Sequence, residues 1–137
     1  MLLNIGPSPE GTWPSDAYDR LRKIGAWMNV NGEAIYGTRT IAPYKDGKVY
    51  LTKKKNSETV YAIYLASEEE ENPPTKIWLN TIKPIDGADV SALGRSGTLK
   101  WEEVGTGFCV DIPKDFSDNP PCKYAWVVKI SEIKNKL

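Results

Sequence analysis

Tyr124-Ala125-Trp126-Val127-Val128-Lys129-Ile130 is the stretch that decides the fold. Tyr124, Trp126, Val128 and Ile130 form one wholly apolar set, and Ala125, Val127 and Lys129 a mixed one. This is the period-two signature of a strand with one face in a core. The same texture of β-branched and aromatic residues recurs upstream. It predicts strands at Lys48 to Lys54, Thr59 to Ala66, Lys76 to Ile82, Asp89 to Leu93, Thr98 to Val104 and Gly107 to Ile112. Asn56 and Ser57 offer one hairpin turn, and Gly105, Thr106 and Gly107 another. Short strands at this spacing predict a mainly β fold, an antiparallel two-sheet β-sandwich. Glu68 to Glu71, followed by Asn72, Pro73 and Pro74, reads as a solvated loop between strands.

Ahead of Thr38 the pattern is different. Leu2, Leu3, Asn4 and Ile5 read as a short apolar strand that runs into a loop of breakers, Gly6, Pro7, Pro9 and Gly11. With no partner nearby, it is expected to be the last strand of a sheet whose other members are missing. Pro14, Ser15 and Asp16 then signal a helix start, with Ser15 as N-cap and Asp16 and Asp19 near the positive end of the dipole. Ala17, Leu21, Ile24 and Met28 recur on one helical face, while Arg20, Arg22 and Lys23 lie off it. Asn31 and Gly32 offer left-handed residues to stop the helix, near Asn29 or Val30. The expected architecture is therefore a remnant strand and one amphipathic α-helix, followed by the sandwich.

Composition narrows the function. Of 137 residues, 18 are Lys or Arg and 18 are Asp or Glu, so no net field would recruit a phosphate backbone or an anionic membrane. The expected partners include no nucleic acid and no membrane. The first residues lack the basic region and the long apolar core of an export signal. The chain has no histidine, which removes the usual general base, the usual zinc ligand and every Ser-His or Cys-His pair. Cys109 and Cys122 do not form a metal-site spacing. They could be bridged only if their backbones come close, and the simpler reading of Cys109 is a small buried hydrophobe.

Catalysis would then need carboxylates. Glu102 and Glu103 are adjacent in a predicted strand and so point to opposite faces, and Asp111 alternates away from Phe108, Val110 and Ile112, leaving the pair with Asp115 in solvent. No catalytic, cofactor-binding or metal-binding residues are assigned, and no cofactor is expected. Among the aromatics, Trp101 and Trp126 are in phase with aliphatic neighbours and belong to the core. Trp78 and Tyr61 are out of phase, so they are expected to be exposed, as sugar-contacting or docking aromatics. The stripe Ala17, Leu21, Ile24 and Met28 is expected to serve domain docking. Left bare, each large side chain would forfeit about 1.5 to 3 kcal/mol, so the helix should pack on the sandwich, be poorly ordered or self-associate.

Two stretches are not generic: LLNIGPSPEG at residues 2 to 11 and NVNGEAIYGTR at residues 29 to 39. Together they resemble, nearly letter for letter, the end of the catalytic domain in α-L-fucosidases of glycoside hydrolase family 29. Trp13 departs from the aliphatic residue more usual at that point. The resemblance is specific over roughly the first forty residues and looser in the strand-rich remainder. It implies that residues 1–38 are the remnant of a catalytic (β/α) barrel, its last strand, loop and helix, and that residues 39–137 are the C-terminal β-sandwich domain. It also implies that the nucleophile and the fucose-holding side chains lie upstream, so this chain alone is expected to be inactive. The parent would be a retaining glycosidase that removes terminal α-L-fucose from glycoconjugates. The chain would be its non-catalytic accessory domain or, alternatively, a carbohydrate-binding module using exposed aromatics. The implied partners are the parent's catalytic barrel and fucosylated glycans. A secreted, periplasmic or lysosomal parent fits the resemblance, and the sequence itself fixes no compartment.

Overall fold

The computed structural model describes residues 4–134. Helix α1 spans Ser15–Asn31 and continues into a 3₁₀ turn at Gly32–Ala34. Eight strands follow: β1 (Thr38–Asp46), β2 (Val49–Lys54), β3 (Val60–Leu65), β4 (Lys76–Leu79), β5 (Val90–Ala92), β6 (Trp101–Val104), β7 (Gly107–Asp111) and β8 (Ala125–Ile130). A short helix α2 (Lys114–Asp118) lies between the last two. The strands form a five-stranded sheet in the order β1-β2-β3-β8-β5 and a three-stranded sheet in the order β4-β7-β6. All named pairings are antiparallel. The mainly antiparallel two-sheet sandwich with one N-terminal helix is thus as the sequence predicts.

The alternation in β8 explains how the layers stack. Trp126, Val128 and Ile130 point into the space between the sheets, where they join Val60 and Ala62 of β3, Leu51 of β2, Ile77 and Leu79 of β4 and Phe108 and Val110 of β7. Trp126 stacks on Tyr64 at 6.1 Å, and Trp101 packs edge-on to Phe108 at 6.0 Å. Ala125 and Val127 face the other way and form a second apolar cluster with Tyr61, Ile63 and Ala34, against which Trp27 packs. The five-stranded sheet is therefore covered on both faces, by the second sheet on one side and by α1 with its 3₁₀ turn on the other.

Several expectations need correction. Tyr124 does not extend the inward set of β8; it precedes the strand with a positive φ of 76° and is 58% exposed. Strand β1 is an addition to the expected set. Its pairing with β2 shifts register between Thr40 and Lys45, where Tyr44 has a positive φ of 70°, so its burial follows no period of two. Helix α2, five residues long, is too short to carry a helical period. Pro14, not Ser15, occupies the N-cap of α1, and Ser15 donates to Asp16 Oδ1 at 3.4 Å instead of capping. Gly32 stays right-handed at φ −57°, and the left-handed break comes later, at Gly37 with φ 66°. In the expected opening strand, Leu2 and Leu3 lie outside the described residues, and Asn4 and Ile5 are in no strand.

The predicted hairpins are present. Lys54 N–H donates to Thr59 O around Asn56, and Val104 pairs with Gly107 around Gly105. Asp46, at the end of β1, ties the two sheets together. Its carboxylate accepts from the N–H of Asn80 at 2.5 Å, the N–H of Thr81 at 3.1 Å and the hydroxyl of Thr81 at 3.0 Å.

Candidate docking site

The site is built where α1 crosses the outer face of the five-stranded sheet. Trp27 donates its indole N–H to the carbonyl oxygen of Ala125 at 2.9 Å. One turn further along α1, the buried Asn31 donates through Nδ2 to Trp27 O at 3.3 Å and to Cys122 Sγ at 3.2 Å. Cys122 in turn donates its thiol to Ala125 O at 3.3 Å, and its own carbonyl accepts from Trp126 Nε1 at 2.9 Å. Beyond the helix, Thr52 of β2 donates its hydroxyl to Ala34 O at 2.7 Å, and Lys129 of β8 pairs with Glu33 at 2.9 Å. Indole, amide, thiol and hydroxyl thus fasten the end of the helix to the sheet while their apolar parts exclude water. Burial pushes the Cys122 thiol up, and the Asn31 amide pulls it partly back. Cys109, on β7 of the other sheet, is also unbridged and buried.

This arrangement corrects two expectations. Tyr61 is not exposed. It is fully buried beneath the helical layer, and burial raises its phenol above the ordinary range, with Glu33 adding to the shift. Its phase did place it on the opposite face from the inter-sheet core, but that face has a cover of its own. The helix does pack on the sandwich, though not through Ala17, Leu21, Ile24 and Met28. The bonds to the sandwich are made by Trp27 and Asn31, which lie to one side of that stripe, roughly 50 to 90° round the helix from its centre. Ile24 stays 42% exposed, and Ala17, Leu21 and Met28 are only half-buried. Counting aliphatic residues alone missed this side, because its anchors are an indole and an amide.

Between the outer stretch of α1 and the sheet lies an open cleft of about 790 Å³. Its walls are Ile24 and Trp27 on the helix side and Tyr50, Ile63, Leu65 and Ala125 on the sheet side. Ile35 and Tyr124 line it too, as do Arg20 and Lys23.

Glu102, Glu103, Asp111 and Asp115 are all tied to cations. Glu102 and Asp111 share Lys76, at 3.5 and 3.1 Å. Glu103 is held by Lys134 and, less strongly, by Lys83, which lower its pKa, and Asp115 pairs with Arg95 at 3.4 Å. Among the described residues, no group of His, Cys, Asp and Glu side chains is placed to hold a metal, and no helix is long and apolar enough to cross a membrane. Trp78 lies mid-strand in β4 on the outer face of the three-stranded sheet, opposite Cys109, and is 49% exposed.

A two-sheet antiparallel sandwich with a helix fastened to its flank by a polar seam defines a mainly β domain. Comparison with known proteins makes the class specific. The family described as alpha-L-fucosidase C-terminal domain matches residues 44–131, and the family described as alpha-L-fucosidase matches residues 1–33. The plasma alpha-L-fucosidase of Homo sapiens is 35% identical over 140 residues, covering 97% of this chain and 29% of that protein. The alpha-L-fucosidase of Branchiostoma floridae is 34% identical over 137 residues, with the same coverage. Among solved structures, an alpha-fucosidase of Thermotoga maritima in complex with a mechanism-based inhibitor superposes with a TM-score of 0.77 at 25% identity, over 96% of this chain and 30% of that one. The chain belongs to the α-L-fucosidase family, and its residues 44–131 correspond to the C-terminal domain of that family. It spans about 29% of the length of these relatives.

Proposed function

We propose that this chain is the non-catalytic accessory domain of a longer α-L-fucosidase and that it braces the catalytic barrel through α1. In this reading residues 1–38 close the barrel and residues 39–137 form the sandwich. The barrel removes terminal α-L-fucose from glycoconjugates with retention, a reaction that takes two carboxyl groups about 5 Å apart across the sugar. The observation that carries the proposal is the seam at Trp27 and Asn31. The helix matched by the fucosidase family is joined to the stretch matched by the C-terminal domain family at 2.9 Å, by Trp27 to Ala125 of β8, and at 3.2 Å, by Asn31 to Cys122 just ahead of that strand. A helix shared in this way transmits rigidity between two domains, because its far face stays free for the barrel. The test is hydrolysis of a chromogenic α-L-fucoside by this chain and by the full-length polypeptide. Turnover by the long form alone is expected, and saturable turnover by the isolated chain overturns the proposal.

A second reading, sugar binding by the sandwich itself, is favoured by Trp78. A tryptophan 49% exposed in the middle of a strand, with Lys76 and Glu102 on the same face, offers a stacking surface with polar groups beside it. Titration of the chain with fucose-terminated oligosaccharides, followed by tryptophan fluorescence, separates the two readings. A saturable change that Trp78→Ala abolishes supports sugar binding, and no change leaves the bracing role alone.

A further inference from the structure

We infer that the cleft beside α1 is the seat of a segment from the catalytic region of the longer polypeptide, one that brings apolar side chains flanked by a carboxylate. This rests on the reading of the chain as the C-terminal part of a longer fucosidase. It goes further by fixing where the two parts meet and what chemistry the other side must present.

Three observations carry it. Ile24, Tyr50, Leu65 and Tyr124 are each between 39% and 58% exposed and line one concavity of about 790 Å³. Contiguous apolar surface of this kind marks a place that another body covers. The cleft also follows the seam between the two matched families. Its helix wall lies in residues 1–33 and its sheet wall in residues 44–131, so the chain that would precede residue 1 in relatives more than three times as long runs on from the helix side. Finally, Arg20 and Lys23 line the same cleft, and neither forms an ion pair among the described residues. Two free cations beside an apolar floor call for a carboxylate next to an apolar anchor. A second copy of this chain fits poorly. Two-fold pairing across α1 would set Arg20 and Lys23 against their own counterparts, and like charges brought together disfavour association.

Side-chain footprinting of Tyr50 and Tyr124 tests this, with Trp78 on the opposite sheet as reference, in the isolated chain and in the full-length polypeptide. Labelling of both tyrosines is expected to fall about fivefold or more in the long form, as in the dry centre of an interface, while Trp78 changes less. The double variant Arg20→Glu, Lys23→Glu should restore labelling in the long form and leave the circular dichroism and melting of the isolated chain unchanged. Equal labelling in both forms overturns the inference. So does protection in the isolated chain that grows with its concentration, which would assign the cleft to a second copy. Fucosidase activity is scored on the same samples. An active long form with an unprotected cleft removes the docking inference alone, and a protected cleft in an inactive long form removes the functional reading alone.

Discussion

The indole N–H of Trp27 reaches the carbonyl oxygen of Ala125 at 2.9 Å, across 98 residues of chain. This bond decides how α1 is held. The helix has few apolar contacts with the sheet other than the Trp27 ring and relies on the polar seam that begins there.

Trp27→Phe keeps the ring and removes the donor, so it should cost about 1 kcal/mol; Trp27→Ala, at a half-buried position, should cost about 2 kcal/mol. Because the helix is fastened at one end, the loss should be local. Amide hydrogen exchange should quicken in Ser15–Asn31 while the β3–β8 ladder stays protected. Equal loss of protection in both would show that the helix is an integral part of the core.

The difference between reading the sandwich and reading the seam has a physical cause. Trp126, Val128 and Ile130 were legible because a strand packed between two sheets alternates with a fixed period, and that period depends on local chain geometry alone. Tyr61 has the phase of the outer face, but phase does not say whether a helix lies over it. That depends on contacts between residues far apart in the chain. Trp27 and Asn31 were hidden for a related reason. A half-buried indole and a fully buried amide are not what an aliphatic stripe counts, and their value comes from acceptors supplied by Ala125 and Cys122. The family resemblance at residues 2 to 11 and 29 to 39 did point to the right family, whose two models match residues 1–33 and 44–131.

Gly107, the first residue of β7, should accept no side chain. A Cβ added there would lie 1.8 Å from the carbonyl oxygen of Leu79 and 2.5 Å from the Cα of Asn80, both of them backbone. Relief requires β4 to move away from β7, which breaks their pairing. Gly107→Ala should therefore cost about 3 kcal/mol or more. Gly105, two residues earlier, meets nothing within 4 Å and needs only its φ of 56°. Gly105→Ala should cost about 1 kcal/mol. Chemical denaturation of the pair checks this, and equal effects would refute the close-approach account.

Asp46 is the polar clasp between the sheets. Partial burial pushes its pKa up, but hydrogen bonds from Asn80 and Thr81 outweigh that and hold it below the ordinary value of 3.8. Asp46→Ala leaves the N–H groups of Asn80 and Thr81 without their acceptor and should cost about 1 to 2 kcal/mol. Asp46→Asn keeps one oxygen and should lie between the variant and the parent. Urea midpoints of the three proteins, at a shared slope, give the order directly; an Asp46→Asn midpoint below that of Asp46→Ala would contradict it.

Glu70 carries the strongest acid sensitivity. Its neighbours Glu68, Glu69 and Glu71 are solvated, as a loop of that composition should be, but Glu70 folds inward. Its carboxylate accepts from Lys48 Nζ at 2.8 Å, Ser67 N–H at 2.8 Å, Ser67 Oγ at 2.9 Å and Tyr64 Oη at 2.9 Å. Lys48 first, and then the Ser67 N–H, lower its pKa from 4.5 to about 2. A depressed folded-state value means that the unfolded chain takes up the proton first. The stabilisation is complete above pH 4.5 and is lost as pH falls towards about 2. Glu70→Gln removes the charge at every pH. Compared with the parent it should melt lower at about pH 6, and the two melting curves should converge by about pH 2. Melting temperatures of both proteins across that range test the assignment. A constant gap between them at every pH would mean that Glu70 contributes through packing, since only a titrating group closes the gap as protons bind.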